Sequence, residues 1–188
     1  KASARIEESI LSDLTLVRPS AGLLTPDVSR DGDGRDEFVL ALSGASNFVR
    51  GNPHFAISLA LRSNHETKIA LVYSPIDERL YYAESGRGAY VFSAYHSARI
   101  SVSNIKEMGD ATIAYNTSDS RPVLGENTLR TGCPALDLAW VAAGKLDAYV
   151  SDALDFAEIA AGDLLIREAG GKIEMMADLV ATNGKLEI

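Results

Sequence analysis

A glycine-bearing turn in the stretch LALSGASNF is the first segment of this sequence with residues suited to chemistry. Gly44 follows an apolar run and precedes Ala45 and Ser46 at the predicted start of a helix. Backbone N–H groups at such a turn point outward and bind anions such as phosphate. The pattern therefore predicts either a main-chain phosphate cradle at Gly44, Ala45 and Ser46 or a simple tight turn, and the spacing leaves both open.

Carboxylates that could hold a metal ion beside this turn are missing from its own segment. No Asp or Glu occurs from Phe38 to Leu61. Further along, Asp155 and Glu158 share one face of a predicted helix, whereas Asp163 points elsewhere and is expected on a solvated surface. The Asp-x-Asp-Gly run at 31–34 lacks the downstream Glu that completes a calcium loop.

Other metal-binding side chains are few and have no ligand spacing. A single cysteine, Cys133, excludes a disulfide within the chain and a zinc site of four cysteines. We predict that Cys133 is a small buried residue. His54, His65 and His96 fall on different strands or turns, which favours structural or solvent contacts over metal binding.

The elements that must position these residues divide the chain into two halves. In the first, residues 1–107, apolar residues at helical spacing predict a helix over 4–19, and a polar, glycine-bearing stretch at 27–37 predicts a loop or hairpin tip. Short apolar runs separated by tight turns then predict an antiparallel sheet, with strands at 38–43, 54–62, 68–76, 78–85 and 88–93.

The second half, residues 108–188, alternates strands with helices. Strands are predicted at 111–118, 147–151, 172–176 and 179–183, and helices at 134–146 and 155–171. This alternation is typical of an α/β arrangement.

Composition limits the classes of partner. With 188 residues the chain can form one sizeable domain or two small subdomains. A net charge of −8 argues against a nucleic-acid-binding face and against an anionic membrane surface. No apolar run is long enough to span a membrane, and the first residues show no signal-peptide pattern, so we expect a cytoplasmic protein.

Four collinear stretches together resemble the inositol monophosphatase family, and its bacterial branch most of all. NFVRGNPHFAISLAL resembles the family's N-F-x-H-G-x-P-x-F-A-V-S-I-A-L, and ALVYSPIDERLYYAESGRGAY resembles G-V-V-Y-x-P-x-x-x-E-L-Y-x-A-x-x-G-x-G-A. ALDLAWVAAGKLDAYVS and EIAAGDLLIREAGGKI are similar to A-L-D-L-A-Y-V-A-A-G-x-x-D-A-F and D-I-A-A-G-x-L-I-V-x-E-A-G-G. By the resemblance, the chain lacks family residues near 125–128 and 176–178, which are either real deletions or segments omitted from this sequence.

This resemblance implies a fold and an activity. The family fold is a layered α/β/α/β/α sandwich, with an antiparallel-sheet half and an α/β half in one structural unit. Family members are Mg²⁺-dependent phosphatases that act on inositol monophosphate or related sugar or nucleotide monophosphates. The resemblance also implies a homodimer, and a regulatory protein partner is a further expectation because some bacterial members have partners in transcription.

The family's metal-binding positions are mostly substituted in this chain. By the resemblance, the first Glu of the Glu-Glu segment falls on Pro26 and the second on Asp27. The two Asp residues before the glycine fall on Leu40 and Ser43, and the water-orienting Thr falls on Ala45. An upstream Asp falls near Ser3, a sugar-contacting Glu on Ser151, and the Asp of the Trp-Asp pair on Glu158.

Two functions therefore remain open at this point. One is a catalytically degraded family member that keeps the fold, with anion binding or a regulatory role, and with Glu158 and possibly Asp27 as weak metal ligands. The other is a working Mg²⁺-dependent phosphatase that takes carboxylates from elsewhere, such as the polar stretch at 27–37. A structural remnant without any ligand is a third reading.

Overall fold

The computed structural model describes residues 2–117, 127–152, 155–175 and 178–188. The apparent shortening near residues 125–128 and 176–178 falls mostly outside these ranges, because only Asn127, Thr128 and Asp178 of those stretches are described.

The first half forms an eight-stranded sheet with one long helix. Its strands lie in the order β2-β1-β3-β4-β5-β6-β7-β8, and all neighbours are antiparallel except β1 and β3. The bounds are α1 (Ala2–Val17), β1 (Gly22–Leu24), β2 (Ser29–Arg30), β3 (Asp36–Ser43), α2 (Ala45–Val49), β4 (Ala56–Ser63), β5 (Glu66–Ser74), β6 (Arg79–Glu84), β7 (Gly88–Ser93) and β8 (His96–Ile100).

The second half forms a five-stranded sheet with two helices. Its order is β10-β9-β11-β13-β12, parallel from β10 through β9 to β11 and antiparallel beyond. After a 3₁₀ turn at Met108–Asp110 the elements are β9 (Thr112–Asn116), β10 (Asn127–Leu129), α3 (Pro134–Ala142), β11 (Ala148–Ser151), α4 (Phe156–Glu168), β12 (Lys172–Met175) and β13 (Leu179–Thr182).

The two sheets enclose α3 and α4, which gives the layered sandwich that the sequence predicted. α4 packs against the middle strands of the first sheet and against α3, while α3 also contacts β11 and β13 of the second sheet. One apolar core therefore includes Val39 and Tyr81 from the first sheet, Leu165 from α4 and Tyr149 from the second sheet. On the opposite face of the first sheet, α1 packs Leu11 and Leu14 over Phe38.

The two central helices approach each other closely at a glycine. A Cβ built on Gly162 of α4 would lie 2.5 Å from Cδ1 of Leu138 and 2.6 Å from its Cβ. Since atoms that close would overlap, only glycine permits this separation of α3 and α4.

Several predicted boundaries were wrong for local reasons. The stretch predicted as a loop or hairpin tip does contain part of a hairpin, because Ser29 and Arg30 of β2 pair with β1, but β2 itself was not predicted as a strand. The pairing of β1 with β3 is parallel, although this half was predicted to be antiparallel. α3 ends at Ala142, before the predicted end at 146. The chain reverses directly after the helix, because Gly144 takes a φ of +65°.

Within the described residues, no helix combines the length and the apolar character needed to cross a membrane.

Candidate functional site

The predicted turn at Gly44 joins β3 to the short helix α2. Gly44 takes a φ of +78° and is the N-cap residue of α2, as a strand-to-helix turn requires. A Cβ at this position would lie 2.8 Å from the carbonyl oxygen of His54 and 3.0 Å from Cα of Phe55. The turn therefore depends on glycine both for its dihedral angle and for the close approach of the following chain. Ala45 and Ser46 are exposed beside it.

Asn47 fixes this turn to the segment that precedes α3. Its Nδ2 donates to the carbonyl oxygens of His54 and Thr131, at 2.8 Å each. A single amide thus connects α2 both to the segment that follows it and to a segment that is remote in sequence, so the position of the turn is set by hydrogen bonds that need no metal ion.

Ser43, which the resemblance predicts to correspond to a family Asp, is buried and takes part in the helix packing. Its hydroxyl oxygen accepts a hydrogen bond of 3.2 Å from the backbone N–H of Ala135, in the first turn of α3. The N–H groups in the first turn of a helix have no partner within the helix, so this contact satisfies one of them. Ser43 therefore connects the end of β3 to the start of α3 through a hydrogen bond.

Cys133 lies between the turn and α3 and is completely buried, which confirms the prediction from the sequence. Burial raises the pKa of its thiol to about 12, although a hydrogen bond with Ser43 opposes the shift, and the charges of Asp137 and Glu158 add to it. The thiol is therefore protonated at neutral pH, so it is neither a nucleophile nor a metal ligand there.

Leu40, the other residue predicted to correspond to a family Asp, is completely buried. It pairs with Leu59 of β4 in the middle of the first sheet. A carboxylate at this place would lose its hydration, whereas leucine adds to the apolar interior.

Pro26 and Asp27 lie at the tip of the hairpin between β1 and β2, and both are exposed. The hydroxyl oxygen of buried Thr25 accepts hydrogen bonds from the N–H of Val28 at 2.9 Å and from that of Asp27 at 3.3 Å. Asp27 also lies near Glu7 of α1: burial raises the pKa of Glu7, and the charge of Asp27 raises it further. This neighbour of Asp27 was not predicted from the sequence.

Glu158 lies in the first turn of α4, whose N-cap is Asp155. The Asp155 side chain accepts a hydrogen bond of 3.0 Å from the N–H of Ala157. Burial raises the pKa of Glu158, and the nearby charge of Asp155 raises it further. Asp163 forms an ion pair of 2.7 Å with Arg167 on the same helix.

A buried polar cluster beside the turn was missed by the sequence reasoning. Asp137 of α3 is 1% exposed, and its carboxylate contacts Nε2 of His54 at 3.2 Å and accepts a hydrogen bond of 2.5 Å from the hydroxyl of Thr131. The ring of His54 also packs edge-on against Trp140 at 4.9 Å between centroids. His54 thus has the structural role that was predicted. Its partner Asp137 could have been suspected from the sequence, because it is an acidic residue among the apolar positions of a predicted helix.

Two further positions that the resemblance singles out are Ser151 and Ser3. Ser151 is buried, and its hydroxyl donates to the carbonyl oxygen of Asn116 at 2.9 Å. The side chain of Ser3 lies outside the described residues.

The side chains at these positions do not fit a magnesium ion. Mg²⁺ requires near-octahedral oxygen ligands, mainly carboxylates and water. Leu40 has no donor atom, and the Ser43 hydroxyl already accepts a hydrogen bond from α3. Among the residues that the structure describes, no three His, Cys, Asp or Glu side chains form a group that could hold a metal ion.

Comparison with known proteins agrees with the fold and the motifs. A model described as the inositol monophosphatase family matches residues 1–181. The chain is 36% identical to an inositol-1-monophosphatase of Rhizobium meliloti (strain 1021), over 91% of this chain and 69% of that protein. It is 32% identical to a Nus factor SuhB of Xylella fastidiosa (strain Temecula1 / ATCC 700964), over 89% of this chain and 65% of that protein.

A solved structure with a similar fold is the extragenic suppressor protein suhB from Bartonella henselae. The two superpose with a TM-score of 0.89 at 30% identity, over 98% of this chain and 80% of that one. The chain described here thus spans about two thirds of the length of the curated relatives that it matches.

Proposed function

Because this chain belongs to the inositol monophosphatase family, we propose that it is a member that has kept the fold and lost metal-dependent hydrolysis, and that it acts by binding. The observation that carries the proposal is the hydrogen bond from the Ala135 N–H to Ser43. A position that would hold a metal ion through Asp instead stabilises the junction between β3 and α3.

The other substitutions support the same proposal. Leu40 contributes to the interior, Ala45 has no hydroxyl with which to orient a water molecule, and Pro26 offers only a carbonyl oxygen. Glu158 and Asp27 are left as the carboxylates at the family's ligand positions. Such a pair would bind Mg²⁺ weakly and would depend on water and phosphate for the remaining ligands.

The ligand that we propose for the turn is phosphate or a sugar phosphate. The main chain at Gly44, Ala45 and Ser46 does not depend on the lost carboxylates, and the hydrogen bonds of Asn47 hold it in place. The anion would contact backbone N–H groups, and loss of the acidic side chains removes the repulsion that it would otherwise meet without a metal ion.

Ala45 and Ser46 offer a direct test of that binding. Ala45 is the first residue of α2, so Ala45→Pro removes one N–H donor. Because proline also restricts the conformation of the preceding Gly44, circular dichroism first checks that this variant is folded. Ser46→Ala removes only a side chain and is the matched control. Calorimetric titration with inositol monophosphate should show weaker binding for Ala45→Pro and unchanged binding for Ser46→Ala. Equal affinities for all three proteins, or binding by none, would reject the turn as an anion site.

A regulatory protein partner and a homodimer belong to the same proposal. Several of the similar proteins are named Nus factor SuhB, which supports a role in an assembly rather than in catalysis alone. Light scattering of the purified chain would test the dimer by its mass.

The alternative function is an active Mg²⁺-dependent phosphatase, supported by relatives named inositol-1-monophosphatase and by the carboxylates of Glu158, Asp155 and Asp27. Phosphate release from a panel of inositol and sugar monophosphates, with and without Mg²⁺, separates the two functions. Turnover that needs Mg²⁺ and is abolished in Glu158→Ala would overturn the proposal. No turnover above the buffer blank, and no heat of Mg²⁺ binding, is the result that we expect.

Ser43→Asp, with its fold checked by circular dichroism, should gain measurable Mg²⁺ binding.

A further inference from the structure

A polar cavity of about 450 Å³ lies at the end of the first sheet opposite the Gly44 turn. Its wall is formed by the connection from β2 to β3 (residues 30–37), by Gly22 of β1, and by Arg62 and His65 at the turn from β4 to β5. Since β3 runs from this cavity to the turn, the two sites are roughly 25 Å apart.

The wall is rigid where its backbone segments meet. A Cβ on Gly32 would lie 2.1 Å from the backbone nitrogen of Gly22, so these two glycines place the β2–β3 connection directly against β1. The N–H of Asp33 donates to the carbonyl oxygen of Ser20 at 2.8 Å, and that of Asn64 donates to Arg35 at 2.8 Å. The β2–β3 connection is therefore hydrogen-bonded both to the chain before β1 and to the turn between β4 and β5.

Most of the charges in the wall already have partners. Arg62 forms an ion pair of 2.7 Å with Glu37, its guanidinium lies 4.7 Å from the ring centre of Phe156, and Arg18 pairs with Asp36. The carboxylate of Asp33 accepts the N–H of Arg35, and this hydrogen bond is the main cause that lowers the pKa of Asp33.

The charge of Arg35 also lowers the pKa of Asp33, so these two wall charges attract each other, and two adjacent charges of opposite sign are left without a charged partner. Arg30 and Asp31 both line the cavity, and neither forms an ion pair with any residue that the structure describes. A ligand that placed a carboxylate near Arg30 and an ammonium group near Asp31 would complete the pairing of the whole wall. An anion alone would leave Asp31 unpaired, and a cation alone would leave Arg30 unpaired.

We propose that this cavity binds a small zwitterion, such as a free amino acid or dipeptide with an ammonium and a carboxylate group. The volume accommodates a dipeptide, since well-formed small-molecule pockets begin at about 300 Å³. Arg30 contacts the carboxylate, which its planar guanidinium can bind through two hydrogen bonds. Asp31 contacts the ammonium group.

Three probes of nearly equal size test the proposal on the full chain. They are alanyl-alanine, its N-acetyl derivative, which lacks the positive charge, and its amide, which lacks the negative charge. Calorimetric titration should show binding of alanyl-alanine, and about tenfold weaker binding of each blocked form. Equal binding of the three probes, or no binding of alanyl-alanine below about 10 mM, would overturn it.

Variants assign each charge to its residue. In Arg30→Gln the free peptide and its amide should bind alike, and in Asp31→Asn the free peptide and its N-acetyl form should bind alike. Arg79→Gln and Asp110→Asn, at exposed positions outside the cavity, are the matched controls and should keep the preference for the zwitterion. If Arg30→Gln and Asp31→Asn also keep that preference while remaining folded, the site is elsewhere and the proposal fails.

Discussion

At the scale of single residues, two buried serines on neighbouring strands of the first sheet have different surroundings. Ser43 and Ser58 are each 1% exposed. The hydroxyl of Ser43 accepts a hydrogen bond from α3, whereas the hydroxyl of Ser58 has no hydrogen-bond partner among the described residues. The same chemical group therefore stabilises the fold at one position and costs desolvation energy at the other.

Ser43→Ala should lower the free energy of unfolding by about 1–2 kcal/mol, because it leaves the buried N–H of Ala135 without an acceptor. Ser58→Ala should have no such cost, since no hydrogen bond is lost. Urea denaturation of both variants measures the difference. An equal or larger loss in Ser58→Ala would show that the hydroxyl of Ser43 does not stabilise this junction.

Glu158 should make the protein less stable as the pH rises. Burial and the charge of Asp155 raise its pKa in the folded state above the ordinary value of 4.5. The folded protein then holds this proton more tightly, so its stabilising effect is complete below about pH 4.5 and is lost as the pH rises through the folded pKa.

Glu158→Gln should therefore gain stability relative to the natural chain as the pH is raised from about 4.5 to neutrality. Thermal unfolding of both proteins across this range measures the gain. A variant that is less stable at every pH would contradict it. Mg²⁺ gives a second readout, because a metal ion bound to Glu158 would stabilise its charged form and remove the difference at the upper end of the range.

At the scale of elements, the turn between β3 and α2 combines a left-handed dihedral angle with a close backbone contact. Gly44 and Gly51 have similar dihedral angles, with φ of +78° and +74°. Only at Gly44 would a Cβ meet backbone atoms, since nothing lies within 4 Å of the position at Gly51.

Gly44→Ala should destabilise the protein by about 2–4 kcal/mol, and Gly51→Ala by about 1 kcal/mol. The difference isolates the contact with His54 and Phe55 from the cost of the dihedral angle. Chemical denaturation of the two variants is the measurement. Equal losses would mean that the chain after α2 moves away without cost, in which case the turn is not held rigidly.

The elements with strong periodicity were predictable from the sequence, and the weak ones were not. α1, β3 to β7 and α4 follow from apolar spacing and from glycine or proline at their ends. β2 and β10 are only two and three residues long, and their residues are exposed, so they have no apolar pattern to detect. They exist because a neighbouring strand offers unpaired backbone groups.

The candidate site was predictable in its backbone more than in its side chains. The glycine turn and the start of α2 follow from local sequence. The contacts of Ser43 with Ala135 and of His54 with Asp137 join residues 92 and 83 positions apart, and no spacing within one sequence indicates such pairs. The neighbours Glu7 and Asp27 were missed for the same reason.

At the scale of the whole molecule, α3 and α4 connect the two sheets through side-chain packing. Residues from both halves share one apolar core, and the helices meet at Gly162 and Leu138. The two halves should therefore unfold together in a single transition.

Gly162→Ala should force α3 and α4 apart and lower the free energy of unfolding by about 1–3 kcal/mol. A double variant that also carries Leu138→Ala should lose less stability than the sum of the losses in the two single variants. The smaller side chain makes room for the new methyl group. Gly109→Ala, at a position with open space, is the control. Denaturation followed by Trp140 fluorescence and by circular dichroism measures both stability and cooperativity. Strict additivity of the two changes would contradict close packing at this point.

The position of α4 in the chain has a consequence for synthesis on the ribosome. The first sheet is complete in sequence at Ile100, yet the helix that covers its inner face begins only at Phe156. A nascent chain therefore carries an open apolar surface, including Val39, Val72 and Tyr81, until more than fifty further residues have been added. During that interval we expect the exposed surface to be prone to aggregation, so slow translation of this stretch would favour aggregation over folding.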